Sequence, residues 1–183
     1  MKVHPTKLDG VLVIEPQVFG DPRGFFMETY QQTRYMQANV GVNFVQDNVS
    51  SSVRHTLRGL HFQHPHDQDK LVYVLQGEIF DVAVDIRRGS PTFGGWVGEI
   101  LSEENHRQLF IPRGFAHGFC VLSRTALFCY KCSDYYAPGD EGGIIWNDPD
   151  LGIAWPVEDP ILSPRDKAYS RLKDISPDRL PTI

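Results

Sequence analysis

The chain contains no uninterrupted apolar run of membrane-spanning length, and Met1-Lys-Val-His-Pro5 opens it without the apolar core of a secretion signal. A cytoplasmic protein with no membrane partner is expected. Cysteine is scarce, with three residues in 183, all between Cys120 and Cys132. An odd, clustered set does not build a disulfide framework. In Cys129-Tyr-Lys-Cys132 the two thiols lie three apart on what reads as a strand, so they point to opposite faces and make a poor chelating or redox pair. Positive charge is not in excess either. A formal net charge of −5 gives no electrostatic footing for nucleic acid or an anionic membrane surface. Any anionic ligand must be met by cations gathered locally. Neither a P-loop nor G-x-G-x-x-G occurs, so a nucleotide would be held by side chains. Long alternating helices are missing as well, which argues against a parallel α/β fold.

What the chain does have, from Leu57 onward, is short apolar runs every eight to twelve residues with turn residues between them. The expected fold is mainly β, an antiparallel barrel or sandwich with short peripheral helices. Residues 11–14 read as a strand, Gly20-Asp-Pro-Arg-Gly24 as a turn, and 31–39 as a helix. Strands over 70–75 and 78–86 are expected to form a tight hairpin at Gln76-Gly77. In the second strand Phe80, Val82, Val84 and Ile86 share one face, with Asp81, Ala83 and Asp85 on the other. One domain is expected over 1–183: N-terminal strands in 1–50, a barrel core in 51–136, and an irregular wrap over 137–183 with a short helix at 166–172.

The densest chemistry lies in Arg58-Gly-Leu-His61-Phe-Gln-His64-Pro-His66-Asp-Gln-Asp-Lys70. His64-x-His66, together with Pro112-Arg-Gly114-Phe-Ala-His117, resembles the cupin pattern, in which H-x-H-x(3)-E meets P-x-G-x-x-H around one metal ion. At the carboxylate position of that pattern stands Lys70, a cation with no lone pair to offer while charged. Val121 takes the place of the second motif's asparagine. A cupin-like jelly-roll barrel that has exchanged its metal for a fixed ammonium is the resulting expectation, with no metal ligands and no cofactor.

Residue chemistry then sets roles beside plainer alternatives. His61 is either a general base oriented by a carboxylate or a core histidine satisfied by backbone. Lys70 suits an enolate or phosphate oxygen, or is simply a solvated lysine on a turn. Tyr130 is an acid or a packed phenol. Arg23 and Arg58 could together grip a diphosphate, and Tyr135-Tyr136 offers a stacking face for a base.

Eight separated motifs identify a family. They are Phe19-Gly-Asp-x-Arg23-Gly-Phe-Phe-x-Glu28, Phe44-Val-Gln46-Asp-Asn48, Arg58-Gly-Leu-His61-Phe-Gln, Phe80-Asp-Val-Ala-Val-Asp-Ile-Arg87, Ser90-Pro-Thr-Phe-Gly94, Ile111-Pro-x-Gly-Phe-Ala-His117-Gly-Phe119, Trp146-Asn-Asp148 and Leu162-Ser-x-x-Asp166. In this order they closely resemble the dTDP-4-dehydrorhamnose 3,5-epimerase family. The resemblance implies cofactor-independent epimerisation of a dTDP-4-keto-6-deoxy sugar at C3 and C5, on the way to dTDP-L-rhamnose. It implies His61 as base oriented by Asp166, Lys70 on the enolate oxygen, and Tyr130 as the acid on the opposite face. It further implies substrate contacts at Arg23, Glu28, Gln46, Asp47, Asn48, Arg58, His117, Glu141 and Arg165, with Tyr136 stacking on thymine. Arg165 stands where relatives often carry lysine. A homodimer whose N-terminal strand joins the partner's sheet is implied too. Relatives of the same fold epimerise one carbon or move the keto group. A metal cupin using His64, His66 and His117, or a non-catalytic nucleotide-sugar binding module, are the remaining alternatives.

Overall fold

A computed structural model describes residues 1–183. The N-terminal part supplies β1 (Lys2–Pro5), β2 (Leu12–Glu15), the short hairpin β3 (Val18–Asp21) and β4 (Gly24–Met27), and helix α1 (Gln32–Gln37). Gln31 caps α1 by accepting from the Arg34 N–H. The central part runs through β5 (Gln46–Val53), β6 (Leu57–Gln63), β7 (Lys70–Gln76), β8 (Glu78–Asp85), β9 (Trp96–Ser102), β10 (Gln108–Ile111), β11 (Phe115–Val121) and β12 (Thr125–Cys132). A short β13 (Glu141–Gly143), helix α2 (Pro164–Lys167) and two 3-10 turns close the chain. No helix is long and apolar enough to cross a membrane.

Two antiparallel sheets face one another in a cupin-like arrangement. One has the order β1-β2-β10-β7-β12-β5, the other β13-β6-β11-β8-β9. Period-two alternation decides what lies between them. Val72, Val74, Leu109, Ala126 and Phe128 from the first sheet meet Ile79, Ala83, Leu101 and Phe119 from the second in one buried cluster. The opposite set on β8, Val82 and Val84, continues as Ile86 into a second cluster, where the C-terminal wrap covers the outer face with Ile144, Leu151, Leu172 and Leu180. Tyr35 of α1 and Val40 seal the outer face of the first sheet over Ile14, Leu71 and Phe110. Both faces of β8 are therefore buried, and its Asp81 and Asp85 have no exposed surface.

Two local expectations change. Gln76-Gly77 is not a hairpin: β7 pairs with β10 and β12, whereas β8 pairs with β9 and β11, so the turn carries the chain from one sheet to the other. Gly77 has φ +83°, and a Cβ there would lie 2.2 Å from the Thr125 carbonyl oxygen. The short helix begins and ends earlier than 166–172. Ser163 caps it, its hydroxyl accepting from the Asp166 N–H at 3.0 Å, and the chain leaves α2 at Lys167 before a 3-10 turn at Leu172–Asp174. Gly59, at φ +115°, is the second position where only glycine fits, because a Cβ would lie 2.6 Å from Gly118 Cα and from the His117 carbonyl oxygen. That close approach brings β6 and β11 together beside the cavity.

Replacing Gly77 by alanine combines a disfavoured backbone conformation with a backbone clash. Gly77→Ala is expected to lower stability by about 2–3 kcal/mol, read as a lower denaturant midpoint at unchanged slope.

Candidate active site

At one end of the barrel the apolar filling gives way to a polar cavity with two chambers. Gln46, Asn48, Gln63, Cys132, Tyr136 and Glu141 line an outer chamber of about 320 Å³. Ser50, Arg58, His117, Phe119 and Phe128 line an inner one of about 210 Å³. His61, Lys70 and Tyr130 stand in the walls of both. Because β6 belongs to one sheet and β12 to the other, His61 and Tyr130 enter the cavity from opposing walls.

His61 Nε2 lies 2.6 Å from an Asp166 carboxylate oxygen. With the Nε2 proton given to that carboxylate, Nδ1 carries the lone pair. Burial pushes the Asp166 carboxyl up, but its hydrogen bond and charge interaction with His61, the Ser163 cap and Arg165 outweigh this and hold it below the ordinary range. Tyr169 packs edge-on against the imidazole, with ring centroids 5.8 Å apart. Gly143, the register partner of His61 on β13, makes room for that ring, since a Cβ would sit 2.3 Å from it.

Lys70 opens β7, and the residue before it fixes where. The buried Asp69 carboxylate accepts from the Arg113 backbone N–H at 3.0 Å, from the Arg113 guanidinium at 2.8 Å and from the Ser133 hydroxyl at 2.8 Å. With Asp69 fully engaged, Lys70 has no carboxylate partner of its own. Burial pushes its ammonium below the ordinary lysine range, while Cys132, Glu141 and Asp81 pull the other way. Burial pushes the Tyr130 phenol up, so it keeps its proton at neutral pH.

The remaining groups are held by one another. His117 Nε2 lies 2.9 and 3.0 Å from the two Asp81 oxygens, and its ring stacks on Phe128. Arg58 Nε donates to Ser52 Oγ at 3.0 Å. Gln46 accepts from the Tyr136 N–H and donates to Asn48, both at 3.0 Å. The Tyr136 hydroxyl donates to Glu141 at 2.5 Å, and Glu141 also pairs with Arg165. Burial pushes the Glu141 carboxyl up, and these two partners bring it below its usual value.

Arg165 lines neither chamber but is paired with Glu141, which does, and three further sequence candidates lie away from the cavity within this chain. Asp47 alternates onto the opposite face of β5 and pairs with Lys131 at 2.8 Å. Arg23 is bound to Asp21 at 2.5 Å on the exposed β3–β4 hairpin, and Glu28 to Arg34 at 2.6 Å. The histidines of the cupin pattern are dispersed: His64 is taken by Asp67, His66 by Asp140 and His117 by Asp81. No three His, Cys, Asp or Glu side chains form a group suited to a metal ion. Among cavity residues not anticipated from sequence, Ser50 and Cys132 follow from the alternation of β5 and β12. Asp81, behind His117, was visible as the polar face of β8. For Tyr169 the sequence carries no signal.

Fold and cavity together define a cupin-like barrel whose polar pocket gathers a histidine–carboxylate pair, a lysine and a tyrosine. A family model described as dTDP-4-dehydrorhamnose 3,5-epimerase matches residues 5–174, and the chain belongs to that family. It is 56% identical to the dTDP-4-dehydrorhamnose 3,5-epimerase of Pseudomonas aeruginosa, over 95% of this chain and 97% of that protein. A dTDP-4-dehydrorhamnose 3-epimerase of Streptomyces niveus is 42% identical over 91% of this chain and 82% of that protein. Among solved structures, dTDP-6-deoxy-D-glucose-3,5-epimerase from Legionella pneumophila in complex with dTDP-4-keto-L-rhamnose superposes with a TM-score of 0.97. The two are 53% identical, and the match covers 100% of this chain and 98% of that one.

An enclosed ammonium that stabilises an oxyanion works only while charged. The alkaline limb of kcat is therefore expected below lysine's ordinary pKa of about 10.4. In Lys70→Arg, whose side chain stays charged, that limb moves up. Lys70→Met is expected to lose roughly 10²–10³ in kcat near neutral pH.

Proposed function

We propose that this chain epimerises dTDP-4-dehydro-6-deoxy-D-glucose at C3 and C5, giving dTDP-4-dehydro-6-deoxy-L-mannose for dTDP-L-rhamnose biosynthesis. The observation that carries the reading is the His61–Asp166 pair set across the cavity from Tyr130, with Lys70 between sheet and chamber. The C4 ketone acidifies the hydrogens on C3 and C5. In a glucose-configured chair both are axial on the same face, so one base reaches both. His61 Nδ1 takes a proton, the electron pair moves into the C–C bond, and the carbonyl oxygen becomes an enolate that accepts a hydrogen bond from Lys70. Tyr130 then delivers its phenolic proton to the opposite face. The enolate collapses to the ketone, leaving an imidazolium and a phenolate that exchange protons with water before the second carbon reacts. Asp166 stabilises the imidazolium throughout. On this reading Arg58 and Arg165 meet the diphosphate, Tyr136 stacks on the thymine, and Gln46, Asn48, His117 and Glu141 complete the substrate contacts.

A single-carbon reaction is the second reading, favoured by the 3-epimerase name of the Streptomyces niveus relative. Turnover in deuterated water separates the two: the double epimerase places deuterium at C3 and C5, a single-site enzyme at one. His61→Ala is expected to reduce exchange at both carbons by about 10²–10⁴, while thymidine diphosphate still binds. A non-catalytic binding module would show no exchange in the wild type.

The working form is a homodimer, and Arg23, Glu28 and Asp47 contact substrate only through the assembled pair. Support lies in the β3–β4 hairpin, which exposes Phe19, Phe25 and Phe26 at 55%, 61% and 69%, and in the open sheet edges at β1 and β5. Mixing His61→Ala with Arg23→Ala protomers tests it, because a hybrid dimer has one site with both residues intact. Random re-association of equal amounts should restore about a quarter of wild-type activity, whereas sites completed within one chain restore none. The cytoplasm is the compartment that suits three free, buried cysteines.

A further inference from the structure

Along β5 every second side chain turns toward the barrel interior: Gln46, Asn48, Ser50 and Ser52. Three of the four are engaged with protein. Gln46 joins Asn48 to the Tyr136 backbone, Asn48 reaches toward Cys132 Sγ, and Ser52 accepts from Arg58. Ser50 breaks the series. Its hydroxyl oxygen has less than 1 Å² of exposed surface and no protein group bonds it, although the residue stands in the wall of the inner chamber. Its register partner on β12 is Phe128, whose ring packs 4.3 Å from Phe119 and 6.0 Å from His117, and none of these side chains bonds the hydroxyl. A buried hydroxyl without a partner leaves its desolvation uncompensated, and alanine would fill the same strand position without that cost.

We propose that Ser50 is a substrate-contacting residue, and that its hydroxyl hydrogen-bonds an oxygen of the keto-sugar ring in the inner chamber. This rests on the proposed reaction. Rotation from one staggered χ1 well to the next turns Oγ from the wall into the chamber. The sugar, not the diphosphate, is the partner because this chamber also holds His61, Lys70 and Tyr130, so the reacting ring must occupy it. Arg58, a donor with a fixed fork, takes the phosphate oxygens at the chamber's edge. The arrangement gives a signature that a structural serine cannot give: the residue costs folding stability and returns affinity only when the ligand is bound.

The test is Ser50→Ala, compared with wild type in three measurements. Thermal unfolding should occur at the same or a higher temperature. KM for dTDP-4-dehydro-6-deoxyglucose should rise about 5- to 20-fold. The Kd for dTDP alone, measured by calorimetry, should stay unchanged. A lower unfolding temperature would mean that the hydroxyl has a protein partner and would overturn the proposal. Equal weakening of dTDP would move the contact to a diphosphate oxygen and overturn the sugar assignment, and an unchanged KM would remove the contact altogether. Wild-type turnover measured alongside separates these outcomes from a failure of the proposed reaction itself.

Discussion

The contact between Asp166 and His61 is the interaction on which the rest of the site depends. A carboxylate removed from water costs several kcal/mol unless charge and hydrogen bonds compensate it. Here the compensation comes from two parts of the chain: the imidazole on β6, and within α2 itself the Ser163 cap and the adjacent Arg165. The C-terminal wrap is therefore more than a cover for the outer face of the second sheet. Leu172 and Leu180 dock the wrap onto Val82, Val84 and Ile86, and that docking holds α2 against β6. The His61 imidazole is oriented by a segment that carries almost no regular structure.

On the opposite wall the logic is electrostatic. A cupin metal site would place a divalent ion among three histidines and a carboxylate. This barrel disperses the histidines among separate carboxylates and leaves one ammonium facing the cavity. An ammonium meets an anionic oxygen by donating hydrogen bonds and demands no lone pairs from its neighbours. The residue before Lys70, Asp69, is engaged by Arg113 and Ser133.

Much of this was legible in the sequence, for identifiable reasons. The strands from β6 onward announced themselves as short apolar runs between turn residues, and in β8 the period-two alternation set Asp81 and Asp85 on one face. The turn at Gln76-Gly77 was misjudged because glycine after a strand looks alike whether the chain folds back within a sheet or crosses to another. Only the pairing partners tell the two apart, and these are distant in sequence. Asp47 shows two signals pointing different ways: alternation places it opposite Gln46 and Asn48 on β5, where it pairs with Lys131, whereas the family motif groups it with them. Tyr169 was invisible because its role depends on a gap left by Gly143, and an absent side chain has no pattern to detect.

The division of labour between the two sheets has a consequence for how the reaction can be controlled. His61 and Lys70 lie on different sheets, as do His117 and Tyr130, and the sheets are joined beside the site by the apolar stack of Phe119 on Phe128 at 4.3 Å. On the proposed reaction inversion keeps His61 and Tyr130 on opposite faces of the ring between them, which makes the distance between sheets a catalytic parameter. A well-packed interior resists change in that distance because each small gap forfeits dispersion contacts. On the proposed reaction one base and one acid serve two carbons, the walls remaining fixed while the sugar pivots about a ketone oxygen held by Lys70. A chamber that blocked the pivot would confine the same base and acid to one carbon. The difference between the two reactions would then reside in the shape of the chamber around the sugar, where Ser50, Phe119 and Phe128 lie, and not in the identity of the acid and the base.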